Sequence, residues 1–215
     1  MKRWIVTVVI LLLLPSVVHA TAQQPDRIEV DGKVFYLQTN PLESYLKSIE
    51  WEVPEQAIIS SANWRGYLAS WRLESGYLVL ADVSIEVEDE TKARRTKRVS
   101  YLNELFPEQS HIQAKWYSGA LVIAYGELVN YVHMGYGSTF EKYQIISVRE
   151  GEIIDHLFLT LAEFEAYREE KFKAFQQTEL YKEQFIELTE GEHDWTEEKA
   201  NGFLFSYYAE KYLSQ

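Results

Sequence analysis

Two stretches of this chain carry side chains whose types and spacing suit chemistry. The first is Asn130-Tyr131-Val132-His133-Met134-Gly135-Tyr136-Gly137-Ser138-Thr139-Phe140-Glu141. Groups that donate, accept or titrate gather there around two glycines. Gly135 and Gly137 permit positive φ or a close backbone approach, which suits an exposed loop with free amides. As a ligand loop it would use His133 as acid/base or donor and Glu141 as its partner. Tyr131 and Tyr136 would form stacking walls, with Thr139 among the polar contacts. The plainer alternative is a glycine-rich connection between strands, with His133 hydrogen-bonded and half-buried. The Lys-Ser/Thr pair of a phosphate-binding loop is missing, so nucleotide binding is not supported.

The second stretch is Trp64-Arg65-Gly66-Tyr67. On a strand, alternation would put Trp64 and Gly66 on one face and Arg65 and Tyr67 on the other. Glycine there leaves room for an approaching group. Arg65 among aromatics suits bidentate binding of a carboxylate or phosphate. The alternative is an internal salt bridge, easily found in a chain with 33 acids.

Other candidates are weaker. Lys92, Arg94, Arg95, Lys97 and Arg98 form the one basic cluster. They could attract an anionic surface, but Glu86, Glu88, Asp89 and Glu90 just before them can pair with them across a hairpin. Exposed pairs of that kind contribute little individually. Among His111, His133, His156 and His193 no pair has helical zinc spacing. Glu190, Glu192, His193 and Asp194 crowd Gly191 without the alternating oxygen ligands of a calcium loop. With no cysteine there is no thiolate site and no disulfide framework. No serine sits in a Gly-x-Ser-x-Gly context. Neither a metal nor a cofactor is expected.

Positioning these groups requires a scaffold, and the hydrophobic pattern supplies one. Asp31-Gly32 turns a hairpin over Ile28–Leu37. Asn40-Pro41-Leu42-Glu43 reads as a helix start, with Asn40 as cap, and predicts a short N-terminal helix to about Ile49. Trp64–Leu73 and Tyr77–Val87 form a second hairpin through Glu74-Ser75-Gly76. A short helix over Tyr101–Phe106 precedes strands near 112–117, 120–125 and 128–134. A third hairpin, 139–149 with 152–159, turns at Glu150-Gly151.

From Thr160 the pattern becomes helical. Thr160-Leu161-Ala162-Glu163 matches a capping box. The apolar stripe of Leu161, Phe164, Phe172 and Phe175 lies about 100° away from that of Tyr181, Phe185 and Leu188, which predicts a break between Phe175 and Tyr181. Asp194-Trp195-Thr196-Glu197 is a second box, opening a last helix. The fold class is therefore α+β, with a mainly antiparallel sheet built from hairpins, a short N-terminal helix and a C-terminal helical segment. Residues 21–215 read as one domain, strand-rich over 28–159 and helical over 160–213, without repeats or linkers.

The first 20 residues read as a secretory signal. Met1-Lys2-Arg3 is cationic, Trp4–Leu14 is apolar, and Val18-His19-Ala20 suits cleavage after Ala20. The apolar run is too short to span about 30 Å of hydrocarbon, and Pro15 interrupts it. The absence of cysteine also removes a lipid attachment point, so no stable anchor is expected after cleavage. Net charge is −12, and the remainder without Lys2 and Arg3 is more acidic still. Such a surface disfavours nucleic acid, whose phosphates need clustered Lys and Arg. Six tryptophans, 15 tyrosines and 10 phenylalanines supply the means for a core without disulfides.

At Asn40-Pro41-Leu42-Glu43, Trp64-Arg65-Gly66-Tyr67, Trp116-Tyr117-Ser118-Gly119 and Tyr131–Glu141 the chain resembles a group of uncharacterised bacterial proteins. These carry the same segments in the same order, some behind a signal peptide. The resemblance covers most of residues 21–215. It implies a bacterial origin and that the two chemistry-bearing stretches belong to one fold; no activity accompanies it.

The leading expectation is an exported, non-enzymatic binding protein, periplasmic by preference with the extracellular medium as the alternative destination. It would recognise a protein or cell-envelope ligand through Trp64, Arg65, Tyr67, Tyr131, His133, Tyr136, Thr139 and Glu141. The rivals are a small envelope hydrolase using His133 and a carboxylate such as Glu141, and a structural interaction protein using its C-terminal helices.

Overall fold

A computed structural model describes residues 23–91, 95–132, 136–191 and 193–214. The expected signal segment, Lys92, Arg94 and His133 lie outside the described residues.

The chain is α+β, with one mixed, mainly antiparallel sheet of nine strands. β1 (Arg27–Val30) and β2 (Lys33–Tyr36) form the first hairpin. Asp31 and Gly32 both take positive φ, 50° and 73°. That geometry matches the right-handed strand twist, and an Asp-Gly pair accommodates it. α1 (Glu43–Ser48) follows. β3 (Leu68–Glu74) and β4 (Tyr77–Glu88) make the second hairpin. β5 (Thr96–Ser100), α2 (Leu102–Leu105) and β6 (Ile112–Gln113) lead to β7 (Gly119–Asn130). β8 (Thr139–Arg149) and β9 (Glu152–Thr160) are the third hairpin.

The strand order is β2-β1-β3-β4-β9-β8-β7, with β5 and β6 also on β4. β1 runs parallel to β3, a pairing that hairpin logic does not supply. Beyond β2, Leu37 bridges Ile123, and the Gln38 N–H donates to the Val122 carbonyl at 2.8 Å. The two ends of the strand path therefore meet.

Two cores follow from alternation along β7 and β8. Leu121, Ile123, Ile146 and Val148 join Ile28, Leu37, Trp71 and Leu78 in the core between the strands. Ala120, Val122, Tyr143 and Ile145 face the opposite way, toward the C-terminal helices. These strands are buried on both faces at their centres, which explains the unbroken apolar run Ala120–Tyr125.

The helical segment comprises α3 (Leu161–Phe175), α4 (Glu179–Glu190), α5 (Glu197–Tyr207) and α6 (Ala209–Tyr212). Thr160 and Glu163 form the expected capping box. The helix breaks where the stripe shifts: α3 ends at Phe175, and Thr178 caps α4 through its hydroxyl. The segment lays its aromatic side on the sheet, with Phe164 stacked on Tyr143 at 4.0 Å between ring centroids.

Several boundaries differ from expectation for identifiable reasons. Trp64–Gly66 is a turn rather than the start of β3, because Gly66 takes φ +74°. Residues 120–125 and 128–134 do not form two separate strands. β7 runs continuously to Asn130 through irregular pairing at Tyr125–Leu128, with Gly126 at φ +84°. α5 is capped by Thr196, not Asp194, because the Thr196 hydroxyl reaches the Lys199 N–H. α1 starts at Glu43 without a side-chain cap, since the Asn40 side chain is engaged elsewhere. The acidic and basic runs do face each other across β4 and β5, with Glu86 opposite Arg98. The Arg98 guanidinium nevertheless bonds Gln24 at 3.1 Å.

Candidate functional site

The site begins with a fully buried acid in what reads from sequence as a polar lead-in. Asp26 is 0% exposed and directly precedes β1. Its carboxylate accepts from the Ala69 N–H at 3.2 Å and the Trp71 indole N–H at 3.3 Å. Arg65, 6% exposed, completes the set with an Nη2–carboxylate distance of 3.1 Å. The same nitrogen donates to the Gln24 carbonyl at 3.0 Å. Of the two readings of Arg65, the internal salt bridge is therefore the arrangement found. Burial pushes the Asp26 carboxyl above its ordinary range, opposed by the Arg65 charge and the two N–H donors. Burial works against the guanidinium charge too, but Asp26 beside it raises the Arg65 pKa overall.

Gly66 sets how this cluster is presented. A Cβ at Gly66 would stand 2.6 Å from Val53 Cγ1, so the turn closes against the segment after α1. Only glycine combines that approach with positive φ at little cost. The turn leaves Trp64 59% exposed while it drives Arg65 and Tyr67 inward. Beside them opens a groove of about 440 Å³, lined by Glu43, Leu46, Lys47, Glu50, Trp51, Val53, Trp64, Arg65 and Tyr67. Trp51 meets the Tyr67 ring edge-on at 5.8 Å. The Arg65 guanidinium carbon lies 4.9 Å from the same ring's centroid.

The hydrogen-bond accounts here do not close. Arg65 Nη1, the Tyr67 hydroxyl, Asn63 Oδ1 and Gln23 Oε1 are buried without a partner among the described residues. All four belong to the N-terminal lead-in and the 63–67 turn. Burial raises the Tyr67 pKa, opposed by the Arg65 charge and by a contact between the Arg65 guanidinium and the tyrosine hydroxyl that falls short of good hydrogen-bond geometry. A buried polar atom without a partner costs about 1–3 kcal/mol, so such atoms are usually filled by water or a ligand.

A second polar cluster sits at the seam where β2, β7 and α6 meet. The Tyr136 hydroxyl donates to Asn40 Oδ1 at 2.9 Å. The Asn40 N–H donates to the Glu210 carboxylate, which Tyr117 also contacts. Trp116 donates its indole N–H to the Pro41 carbonyl at 3.0 Å. Gly119 lets α6 approach, since a Cβ there would meet the Glu210 carbonyl at 3.0 Å. Burial raises the Glu210 carboxyl above the ordinary glutamate range and the Tyr136 hydroxyl to about 12. The Arg65 charge acts on Tyr136 in the opposite direction, which ties the two clusters together electrostatically.

The four sequence segments singled out above thus meet around Asn40–Glu43. The residues proposed from them, however, do not all share one site. Trp64, Arg65 and Tyr67 line the groove. Tyr136 belongs to the seam, not to a stacking wall. Thr139 pairs with Asn130 at the end of the β7–β8 ladder. Tyr131 is exposed just beyond it. Glu141 packs on Gly126 and lies 3.7 Å from Lys142 on the same hairpin. The described residues do not place it beside the groove, and its expected partner His133 lies outside them.

Sequence reasoning missed Asp26, Tyr117 and Glu210. Asp26 and Arg65 are 39 positions apart and become neighbours only through the parallel β1–β3 pairing. Among the described residues no group of three or more His, Asp and Glu converges as a metal site, and no helix is long and apolar enough to cross a membrane. In comparisons with known proteins the chain matches no family model, no curated protein and no solved structure.

Proposed function

We propose that the protein is an exported, periplasmic binding protein that recognises a cell-envelope ligand through the groove beside Trp64, Arg65 and Tyr67. One observation carries the reading. Arg65 and Tyr67 line an open groove whose rim presents an exposed tryptophan, and beneath it Arg65 Nη1 and the Tyr67 hydroxyl have only a loose contact with each other. An apolar wall with a few unsatisfied polar groups is the usual make-up of a small-ligand site. The Arg65–Asp26 pair and the Gly66 turn hold the donors in place before any ligand arrives, which lowers the ordering cost of binding. The hydrolase alternative rests on His133, which lies outside the described residues.

The test uses the exposed member of the site, because Trp64→Ala leaves the Arg65–Asp26 pair intact. The wild-type protein and the Trp64→Ala variant are incubated with envelope extract, and retained material is compared after both are shown to fold by circular dichroism. Retention by the wild type and its loss in the variant are expected. Equal retention by both would overturn the assignment of the groove.

A further inference from the structure

The charges around the groove constrain what it receives, an inference that rests on the binding reading above. Both basic groups of the lining are already matched. Arg65 pairs with the buried Asp26 at 3.1 Å, and Lys47 pairs with Glu43 at 2.8 Å. Glu50 is the remaining charged group of the lining, and none of the ion pairs among the described residues includes it. Its backbone is unusual as well. Glu50 takes φ +50° just past the end of α1. Its N–H donates to the Lys47 carbonyl at 3.2 Å, and the Trp51 N–H donates to the Leu46 carbonyl at 3.0 Å. That is a helix ending in which the left-handed position is commonly glycine, because a Cβ is disfavoured there. Glycine would close the helix with less strain but would take this carboxylate off the rim.

The rest of the lining suits a cation carried on an apolar stem. Leu46, Val53 and the half-buried Trp51 form an apolar wall. Trp64 adds a largely exposed indole, whose face attracts positive charge. The Tyr67 ring does not compete for that charge, since the Arg65 guanidinium already lies 4.9 Å from its centroid. Long basic side chains combine both features: their methylenes cover apolar surface while the charged head stays at a polar rim. The volume of about 440 Å³ admits one such side chain with the backbone that carries it. The net charge of −12 draws a basic protein toward the molecule and repels an acidic one. We infer that the groove receives a lysine or arginine side chain of a basic partner protein, with the stem along Leu46, Trp51 and Val53 and the cationic head on Glu50 and the Trp64 ring.

The experiment titrates the full protein with three capped tripeptides, Gly-Lys-Gly, Gly-Arg-Gly and Gly-Lys-Gly acetylated on the lysine amine, following tryptophan fluorescence. Saturable binding of the two basic peptides is expected, with the acetylated one at least about tenfold weaker, because it keeps the stem and loses the charge. Glu50→Gln should weaken the basic peptides about tenfold. Glu165→Gln removes the same charge from α3, outside the groove lining, and should leave their affinity within about twofold. Trp64→Ala should abolish the binding. Three outcomes overturn the inference: equal affinity for the charged and acetylated peptides, equal losses in Glu50→Gln and Glu165→Gln, or no saturable binding of either basic peptide. The broader reading fails separately, when Trp64→Ala retains envelope material as well as the wild type does.

Discussion

Two polar clusters lie close together in this fold and are finished differently. At the seam, Asn40 accepts from Tyr136 and donates to Glu210, and Trp116 caps the Pro41 carbonyl. Those groups join the strand ends to the last helix. At the groove, Arg65 and Tyr67 are more deeply buried, yet Arg65 Nη1 and the Tyr67 hydroxyl make only a loose contact with each other. Both clusters carry the desolvation cost of buried polar groups; the groove recovers it at Asp26 and Arg65 Nη2 but not in a well-formed bond at Arg65 Nη1 or the Tyr67 hydroxyl. On the binding reading proposed above, the difference separates a structural joint from a surface prepared for something external.

The largest effect that bears on this contrast comes from Arg65. Arg65→Ala leaves Asp26 buried and uncompensated and should cost about 3–5 kcal/mol in urea unfolding. Replacing both partners, as in Asp26→Leu with Arg65→Met, should recover most of that loss. A small cost for the single variant would mean that the pair does not anchor the groove floor.

A smaller effect belongs to the seam. Tyr136→Phe strips the donor from Asn40 Oδ1 and should cost about 1 kcal/mol by the same measurement. Ligand retention should be unchanged, since Tyr136 lies off the groove lining. Reduced retention would merge the two clusters into one site.

Smaller still is the pH response of the seam. The raised Glu210 pKa means that the folded state holds this proton more tightly than the unfolded chain. Its contribution is thus complete below the ordinary glutamate pKa and is lost as pH rises through the raised value. Urea midpoints collected across that interval should decline for the wild type and decline less for Glu210→Gln. Parallel declines would remove Glu210 as the source.

Much of the scaffold was legible because its signals are local. Asp31-Gly32 and Glu150-Gly151 turn hairpins where the sequence places them, and the Thr160–Glu163 box opens α3. The shift of apolar stripe between Phe175 and Tyr181 correctly marks a helix break. Long-range pairing was not legible. Nothing in Gln24-Pro25-Asp26 indicates that β1 will lie parallel to β3, and that pairing brings Asp26 to Arg65. The strand reading of Trp64–Tyr67 failed for a related reason. Alternation is read from residue types, whereas Gly66 adopts positive φ against Val53, a neighbour that only the tertiary fold supplies. The site was therefore half legible: its aromatic and guanidinium groups announced themselves, while the acid that organises them did not.

The most direct test of the central claim measures stability and ligand retention together in Tyr67→Phe. This substitution removes the buried hydroxyl, which has only a loose contact with Arg65, and leaves the ring in place. If the hydroxyl awaits a ligand, urea stability should stay within about 1 kcal/mol of the wild type while retention of envelope material falls. A clear loss of stability with undiminished retention would show that the hydroxyl supports the fold, and would contradict the assignment of this groove as a binding site.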